Sequence, residues 1–378
     1  MELAKPNEDM IRETIKDSDV VHILMPFFLG NVAIKMCREN GIPVTTAFHV
    51  QPENVSCHFG LQKSAFVNRR IYKFFHKHFY AYTEYIHCPT RFIAEELKKH
   101  GYKQDLRVIS NGVDELYRAE RGENRTVPRQ ILHSLHGTPD QENVRNFDRS
   151  REKSRHADEI QLFIAGQGPL LKKLVKAGED LKNPPVIGFH PKEELAKMIN
   201  YCDLYCHPSY AEIESIACVE AITCGLVPVI SDSKKSAARY FALRPECLFS
   251  AGNSANLAQK IDYMIEHPEF RETLRTEYAE YAKQFALEKC NDEMEKMFID
   301  AVEENTDKKS RGKYFPRLFH VIRIFLRQFF EIARETVGAR RGEFFARAVA
   351  PKYARSAFPR FSRSRRPYPV AYEDRLRG

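Results

Sequence analysis

DLYCHPSYAEIESIACVEAITCGLVPVIS, residues Asp203–Ser231, is the stretch that decides the fold of this chain. The apolar run Leu204–His207 predicts a buried strand, and the residues from about Glu214 to Thr223 predict a helix that Gly225 ends. A second apolar, β-branched run follows at Val227–Ile230. A strand, a loop, a helix, a glycine and a second strand form the pattern of a βαβ unit in a parallel sheet.

Two glutamates, Glu212 and Glu220, flank the start of the predicted helix. A helix N-terminus presents N–H groups and a partial positive charge, which suit a phosphate, and the small side chains of Ser215 and Ala217 allow close approach. Because carboxylates repel a bound diphosphate, they are better suited to accept hydrogen bonds from sugar hydroxyls. Such a site would fit a nucleotide-sugar, but on spacing alone an exposed glutamate followed by a solvated mid-helix glutamate is the more common arrangement.

The segment from Glu212 to Glu220, followed by EAITCG and VPVIS, resembles the paired-glutamate signature of the family-4 retaining glycosyltransferases, also called glycosyl transferases group 1. The resemblance implies an α/β fold of the GT-B type, with two Rossmann-like domains of which the N-terminal one is incomplete. It implies that Glu212 contacts the donor sugar as a catalytic residue and that Glu220 contacts the ribose. Ser215, Ile216 and Ala217 would line the donor site at the helix start.

In this family Pro-Phe-Gly often follows the first glutamate, but here the sequence is AEIESIACVEAI, without Pro-Phe-Gly. This variant resembles the glycolipid-synthase branch of the family. HVQPENVS, residues 49–56, resembles the same branch. His49 follows the predicted strand Pro43–Phe48 and so lies at the carboxyl end of a parallel strand, where open α/β sheets bind ligands. From position alone, a hydrogen-bonded structural histidine is the favoured interpretation. The resemblance implies that His49 is a catalytic residue that contacts donor or acceptor.

Two glycines mark a second part of the expected donor site. The predicted strand Gln161–Ala165 runs into Gly166 and Gly168, and two glycines at a strand–helix turn permit close approach of a ligand to the backbone. The predicted strand Pro185–Phe189 follows, and beyond the Val227–Ile230 strand the sequence predicts a helix near Lys234–Phe241 and a last strand at Glu246–Phe249. The resemblance implies that Gly166 and Gly168 bind the donor and that the loop beginning at Phe189 borders the nucleotide base.

Composition limits the class of protein. The 378 residues are enough for two domains, and 29% charged and 43% hydrophobic residues are ordinary for a soluble protein. The nine cysteines include no CxxC pair, which predicts reduced thiols in a cytoplasmic protein. The sequence has no apolar run of eighteen residues and no signal-peptide pattern. The resemblance implies no metal and no cofactor besides the substrate nucleotide-sugar.

Positive charge is concentrated at the C-terminal end. Residues 308–378 contain 19 Lys and Arg against 5 Asp and Glu, a net charge of +14, which leaves −6 for residues 1–307. As a helix, Arg317–Arg334 is amphipathic, with Arg323 and Arg327 on its polar side, so that it would lie on a bilayer or pack on the protein. From Pro351 onward the composition predicts disorder.

A second basic segment, Phe66–Tyr80, interleaves aromatic and basic residues at helical spacing. It predicts either a surface helix that packs its aromatic side chains on the sheet or an interfacial helix that contacts anionic lipid headgroups. The basic residues that would contact the membrane are Arg69, Arg70, Lys73 and Lys77.

The resemblance does not run evenly along the chain. It predicts a partial N-terminal acceptor-side domain over residues 1–115, a divergent or disrupted linker over 116–158, a donor domain over 159–305 and a basic tail over 306–378. The first clear strand, beginning at Asp19, resembles a middle strand of the N-terminal domain, so we expect an N-terminal truncation. The Arg and Lys that hold the donor diphosphate in the family are not recognisable around residues 120–153, where we hypothesise a local reading-frame disruption.

Three functions compete at this stage. The first is a retaining hexosyltransferase that uses a UDP- or GDP-linked sugar and a lipid or glycan acceptor at the cytosolic, anionic membrane face. The second is a catalytically inactive fragment that at most binds nucleotide. The third, nucleic-acid binding through the basic tail, lacks an aromatic-basic RNA motif or zinc spacing, so we predict no nucleic-acid partner.

Overall fold

Two parallel β-sheets carry the fold. The structure, a computed structural model, describes residues 6–120, 129–134, 153–166, 171–179 and 181–308. These residues fall within one compact unit. Their helices and strands alternate along the chain, as expected for an α/β protein.

The first sheet has four strands in the order β1-β2-β3-β4, and all its pairings are parallel. Its strands are β1 (Val21–Ile23), β2 (Val44–Ala47), β3 (Tyr85–Cys88) and β4 (Asp105–Val108). The helices of this part are α1 (Glu8–Ile15), α2 (Phe28–Glu39), α3 (Pro52–Ser56), α4 (Ala65–His78) and α5 (Arg91–Lys99).

The second sheet has six strands in the order β12-β10-β8-β5-β6-β7, also parallel. They are β5 (Arg129–Ser134), β6 (Ile160–Ala165), β7 (Val186–Gly188), β8 (Leu204–His207), β10 (Val227–Ser231) and β12 (Leu248–Phe249). A two-stranded ribbon pairs β9 (Ala211–Glu212) with β11 (Lys235–Ser236). The helices are α6 (Leu171–Gly178), α7 (Lys192–Tyr201), α8 (Ile216–Thr223), α9 (Ser254–Glu266), α10 (Pro268–Ala282) and α11 (Leu287–Lys308).

The strand order of the second sheet locates its ligand site. From β5 the chain proceeds outward through β6 and β7, and it then returns to the other side of β5 through β8, β10 and β12. The order therefore reverses between β5 and β8, and open α/β sheets bind ligands at such a reversal, beside the carboxyl ends of the strands. β8 ends at His207, so the loop that carries Glu212 begins at this point. β5 itself lies within the segment that we expected to be a linker.

Helix α11 packs against the first sheet. The Tyr85 hydroxyl donates to Glu304 Oε1 over 2.6 Å, and Arg107 forms an ion pair with Asp300 at 2.8 Å. Met297 and Ala301 of the helix are buried in one cluster with Tyr85 and two further residues, Ile109 and Cys290. The C-terminal described helix therefore joins the part of the chain that carries the second sheet to the first sheet.

Three local predictions differ from the structure because tertiary contacts outweigh local preference. The helix expected from Lys234 is strand β11 followed by a 3₁₀ turn at Ala237–Phe241, since β11 pairs with β9. The strand expected at Glu246–Phe249 is a 3₁₀ turn followed by the two residues of β12. The helix expected from Glu214 begins at Ile216. Gly225, with φ 86°, ends that helix as predicted.

The state of the cysteines and the hydropathy of the helices can be read directly from the structure. All nine cysteines are free thiols, and all except the half-buried Cys57 are buried. Within the residues that the structure describes, no helix has both the length and the hydropathy needed to cross a bilayer.

Candidate functional site

Ser215 gives the loop between β9 and α8 an unusual backbone. It is the one non-glycine residue with positive φ in the described part of the chain, at 68°, a conformation that a side chain with a Cβ disfavours. Its hydroxyl lies 2.6 Å from Nε2 of the buried His207, and the other ring nitrogen, Nδ1, lies 2.9 Å from the Tyr205 hydroxyl. A buried hydrogen-bond chain therefore holds the residue that immediately precedes the helix.

Glu212 lies at the carboxyl-end edge of the second sheet with little exposure. Its side chain is 15% exposed, the Ser209 hydroxyl donates to its Oε1 over 2.9 Å, and His207 Nε2 lies 3.9 Å from the same oxygen. Burial raises the pKa of the Glu212 carboxyl to about 7, against the opposing effect of the Ser209 hydrogen bond. Near neutral pH this carboxyl is therefore poised between its two protonation states.

Glu220 lies in the second turn of α8 and has the same property. Burial raises its pKa to about 7, while a hydrogen bond from Tyr117 and the charge of Lys192 oppose the rise. Burial also raises the pKa of Tyr205, and the charges of both Glu212 and Glu220 contribute to that rise. Both glutamates therefore lie within electrostatic range of the same buried tyrosine.

The arrangement is suited to binding a ligand that has both an anion and hydroxyls. The first N–H groups of α8, at Ile216 and Ala217, have no partners within the helix and carry its positive dipole end. Carboxylates on either side of this helix start can accept hydrogen bonds from hydroxyls. Within the described residues, no group of three or more His, Cys, Asp or Glu side chains is arranged to hold a metal ion.

The glycine turn and Phe189 lie along the same sheet edge, beyond β6 and β7. Gly166 has φ 141° and its N–H donates to the Gly188 carbonyl over 2.7 Å. Phe189 follows β7 with 68% of its side chain exposed, so an aromatic face is available there. Gly168 lies outside the described residues.

His49 belongs to a cluster of imidazoles in the first sheet. Its ring contacts the buried His87 edge-on, with centroids 5.4 Å apart, and His22 lies 6.1 Å from His87. Burial, together with the charges of neighbouring histidines, lowers the pKa of His22 and of His49 to about 4. His87 Nε2 lies 2.7 Å from the Ile109 carbonyl, which can only accept, so this nitrogen donates. These histidines are neutral near pH 7.

Contacts from the N-terminal part of the chain converge on the loop that carries Glu212. Gln51 Nε2 donates to the Lys235 carbonyl over 3.0 Å, and buried Glu53 pairs with the Lys235 ammonium at 2.8 Å. Lys235 is in register with Ala211, next to Glu212. The Thr90 hydroxyl also donates to the Ile213 carbonyl over 2.8 Å.

Three residues of the site were not identified from the sequence: His207, Tyr117 and Glu214. His207 ends a parallel strand, as His49 follows one, so the same positional reasoning applied to β8 would have found it. Tyr117 and Glu214 left no local signal, because their roles depend on partners that are distant in sequence. The buried Glu214 accepts hydrogen bonds from Ser110 and Asn111.

The predicted basic helix forms as α4. Its apolar residues Val67, Ile71 and Phe75 are buried, while Phe66 is 57% exposed. The four basic residues named from the sequence, Arg69, Arg70, Lys73 and Lys77, are all exposed. Membrane contact by this face stays a prediction. Arg323 and Arg327 lie outside the described residues.

Comparison with known families agrees with the geometry. The family model "Glycosyltransferase Family 4" matches residues 5–115, and "Glycosyl transferases group 1" matches residues 141–285. The chain belongs to this family of glycosyltransferases, as the paired glutamates predicted, and its fold is of the GT-B type.

Among curated proteins, an alpha-monoglucosyldiacylglycerol synthase of Streptococcus pneumoniae is 26% identical over 230 residues, which cover 56% of this chain. The chain spans about half the length of that relative, 51%. Among solved structures, sucrose-phosphate synthase of Thermosynechococcus elongatus superposes with a TM-score of 0.63 at 15% identity, over 78% of this chain and 76% of its own. HepE of Anabaena in complex with UDP superposes with a TM-score of 0.63 at 15% identity, and the match covers 78% of this chain and 82% of HepE.

Proposed function

We propose that this protein is a retaining glycosyltransferase that moves a hexose from a UDP- or GDP-linked sugar to a lipid or glycan acceptor at the cytosolic membrane face. The observation that carries the proposal is the pair Glu212 and Glu220, two half-buried carboxyls with pKa values of about 7 that flank one helix start. A nucleotide-sugar has the matching chemistry, because its diphosphate suits the helix N-terminus and its sugar and ribose offer hydroxyls to the carboxylates.

In the proposed donor complex each residue has a separate task. The backbone N–H groups at Ile216 and Ala217 hold the diphosphate, and the left-handed Ser215 brings them to the loop edge. Glu212 accepts hydrogen bonds from the hexose, and Glu220 accepts them from the ribose. The exposed ring of Phe189 and the turn at Gly166 border the nucleotide on the β6–β7 side.

Catalysis in this proposal consists of positioning and electrostatic stabilisation. The bond between the sugar and the diphosphate breaks while the acceptor oxygen attacks on the same face, and a donor phosphate oxygen takes the acceptor proton. The helix dipole and N–H groups stabilise the charge that develops on the departing diphosphate. His49, neutral near pH 7, orients the acceptor or the sugar by hydrogen bonding.

Two observations support a lipid acceptor. The relative from Streptococcus pneumoniae is named as a synthase of a glucosyldiacylglycerol. The exposed face of α4 combines Phe66 with four basic residues, a composition suited to the headgroup region of an anionic bilayer. A lipid acceptor would then reach the site from the surface on which the protein rests.

The test is release of UDP or GDP from a panel of nucleotide-sugars, with and without vesicles that contain diacylglycerol and an anionic lipid. We expect nucleotide release that requires the acceptor vesicles, and a product whose anomeric proton, measured by NMR, has the configuration of the donor. An inverted product would refute the retaining mechanism. Glu269→Gln, on the exposed start of α10, is the matched control for substitutions in the site.

The second candidate function is a catalytically inactive fragment that at most binds nucleotide. It is favoured because the expected diphosphate-binding Arg and Lys are not recognisable in the sequence around residues 120–153. Calorimetry with UDP and GDP, combined with the nucleotide-release assay, separates the two candidates. Nucleotide binding without any turnover, for every donor and with anionic vesicles present, would select the inactive fragment.

A further inference from the structure

Glu214 is a buried carboxylate whose partners all come from a distant segment. Only 3% of the residue is exposed. Its Oε1 accepts one hydrogen bond from the Ser110 hydroxyl and one from the Asn111 backbone N–H, the latter over 3.1 Å. Its Oε2 accepts from the Asn111 side-chain amide, and it also lies 3.2 Å from the same backbone nitrogen. Both oxygens therefore bond to residues 110–111, which follow the last strand of the first sheet.

The segment that contains Glu214 is held on both sides. Before it, the Ile213 carbonyl accepts from Thr90, and Glu212 lies in register with Ser236 of β11. After it, Ser215 is kept in a left-handed conformation beside His207. Because such a conformation is disfavoured for serine, the loop needs external contacts to stay in this shape.

We propose that Glu214 is a positioning residue that sets the Glu212 carboxyl through the loop backbone, so that the acceptor-side segment 110–111 determines the geometry of the donor site. This inference rests on the proposed function, in which Glu212 contacts the donor sugar. Only Ile213 separates the two glutamates, so a shift of Glu214 away from Asn111 moves Glu212 with it. Glu220, held in α8 and bonded to Tyr117, is not displaced by that shift.

The test compares Glu214→Gln with wild type in the full chain. Gln keeps one accepting oxygen but turns the other into a donor, so at least one of the bonds from residues 110–111 is lost and the loop is loosened. We expect the carboxyl of Glu212, followed by NMR and assigned with Glu212→Gln, to titrate well below its wild-type value, because a released loop exposes it to water. The titration of Glu220 stays unchanged. This readout needs neither donor nor turnover, so it stands even if the proposed function fails.

A second readout measures the donor. We expect UDP affinity to stay within about twofold of wild type, while kcat/KM for transfer falls on the order of 100-fold, the usual cost of a small misplacement. Adding Asn111→Asp restores an acceptor opposite the Gln amide and should recover about tenfold of the loss. If wild type has no transferase activity, the proposed function fails and the titration alone decides this inference.

An unchanged Glu212 titration in folded Glu214→Gln would overturn the inference, as would transfer kinetics equal to those of wild type. If Glu214→Gln does not fold, Ser110→Ala removes one donor to Glu214, together with the acceptor of the Gly112 N–H, and leaves the bonds from Asn111 to Glu214. In that variant we expect a smaller shift of the Glu212 titration in the same direction, and no shift would overturn the inference equally.

Discussion

The two parallel sheets both place titratable side chains near the carboxyl ends of their strands, but the side chains are of opposite kinds. In the first sheet His22 and His49 have pKa values of about 4, so they are neutral across the physiological range. In the second sheet Glu212 and Glu220 have pKa values of about 7. Burial favours the uncharged form in both places, but only the glutamates change charge near neutral pH.

This difference assigns separate tasks to the two sheets. A group at its midpoint responds to a ligand, since a hydroxyl that donates to the carboxylate favours its ionised form. A group far from its midpoint stays constant and acts as a fixed hydrogen-bonding partner. In the proposed donor complex the second sheet would supply the responsive side of the site, and the histidine cluster would supply a constant one.

The largest effect should come from removing the charge of the first glutamate. We expect Glu212→Gln to lower kcat/KM for transfer by about 100-fold to 1000-fold, the cost of losing one preorganised contact in a reacting site. Affinity for UDP alone should change little, because in the proposed complex Glu212 contacts the sugar and not the nucleotide. Steady-state kinetics and calorimetry measure the two effects, with Glu269→Gln as control. Equal losses in both quantities would contradict the separation of sugar and nucleotide contacts.

The same substitution, Glu212→Gln, should raise the stability of the protein although it lowers activity. Because the folded pKa of Glu212 lies above its ordinary value of 4.5, the buried charge destabilises the fold above pH 7, and this cost disappears as pH falls from 7 to 4.5. We expect Glu212→Gln to stabilise the protein by up to about 3 kcal/mol at pH 8 and by much less at pH 5. Urea unfolding at the two pH values measures this. A stabilisation independent of pH would refute the shifted pKa.

The histidine cluster should show the reverse dependence. The folded pKa of His22 lies below its ordinary value of 6.5. The contribution of the neutral ring to the stability of the fold is therefore complete above pH 6.5 and is lost as pH falls to about 4. Between pH 7 and pH 4 we expect the free energy of unfolding to fall by roughly 2 kcal/mol less in His22→Gln than in wild type. Denaturant unfolding at the two pH values measures this difference. His58→Gln, at an exposed histidine, is the control. If His22→Gln lost as much stability between pH 7 and pH 4 as wild type, the lowered pKa of His22 would be contradicted.

The two sheets also differ in how much of them the sequence predicts. The unit from β8 to β10 was predicted nearly to the residue, because its apolar runs, helix and Gly225 are local signals. The cluster of His22 and His87 was not predicted, since it depends on strand register that brings residues far apart in sequence together. Local preference placed Glu214 in the helix, whereas bonds to Ser110 and Asn111 hold it outside.

The smallest effect concerns the exposed face of α4. A single basic residue near an anionic bilayer contributes about 1 kcal/mol, so Lys73→Gln should weaken binding to anionic vesicles about fivefold. Sedimentation with vesicles measures the partition, and Lys197→Gln on the exposed side of α7 is the matched control. Binding that is unaffected by Lys73→Gln, or affected equally by the control, would remove α4 from the membrane surface.

Proton release on donor binding tests the central assignment most directly. At pH 7 each of the two carboxyls is about half protonated, so a nucleotide-sugar that donates hydroxyls to both should release about one proton in total. Calorimetry in buffers of different ionisation enthalpy counts that proton. We predict its release from wild type, and none, with weaker sugar-nucleotide binding, from the folded double variant Glu212→Gln and Glu220→Gln. Equal affinity and equal proton release in the two proteins would contradict the assignment of these glutamates to the donor.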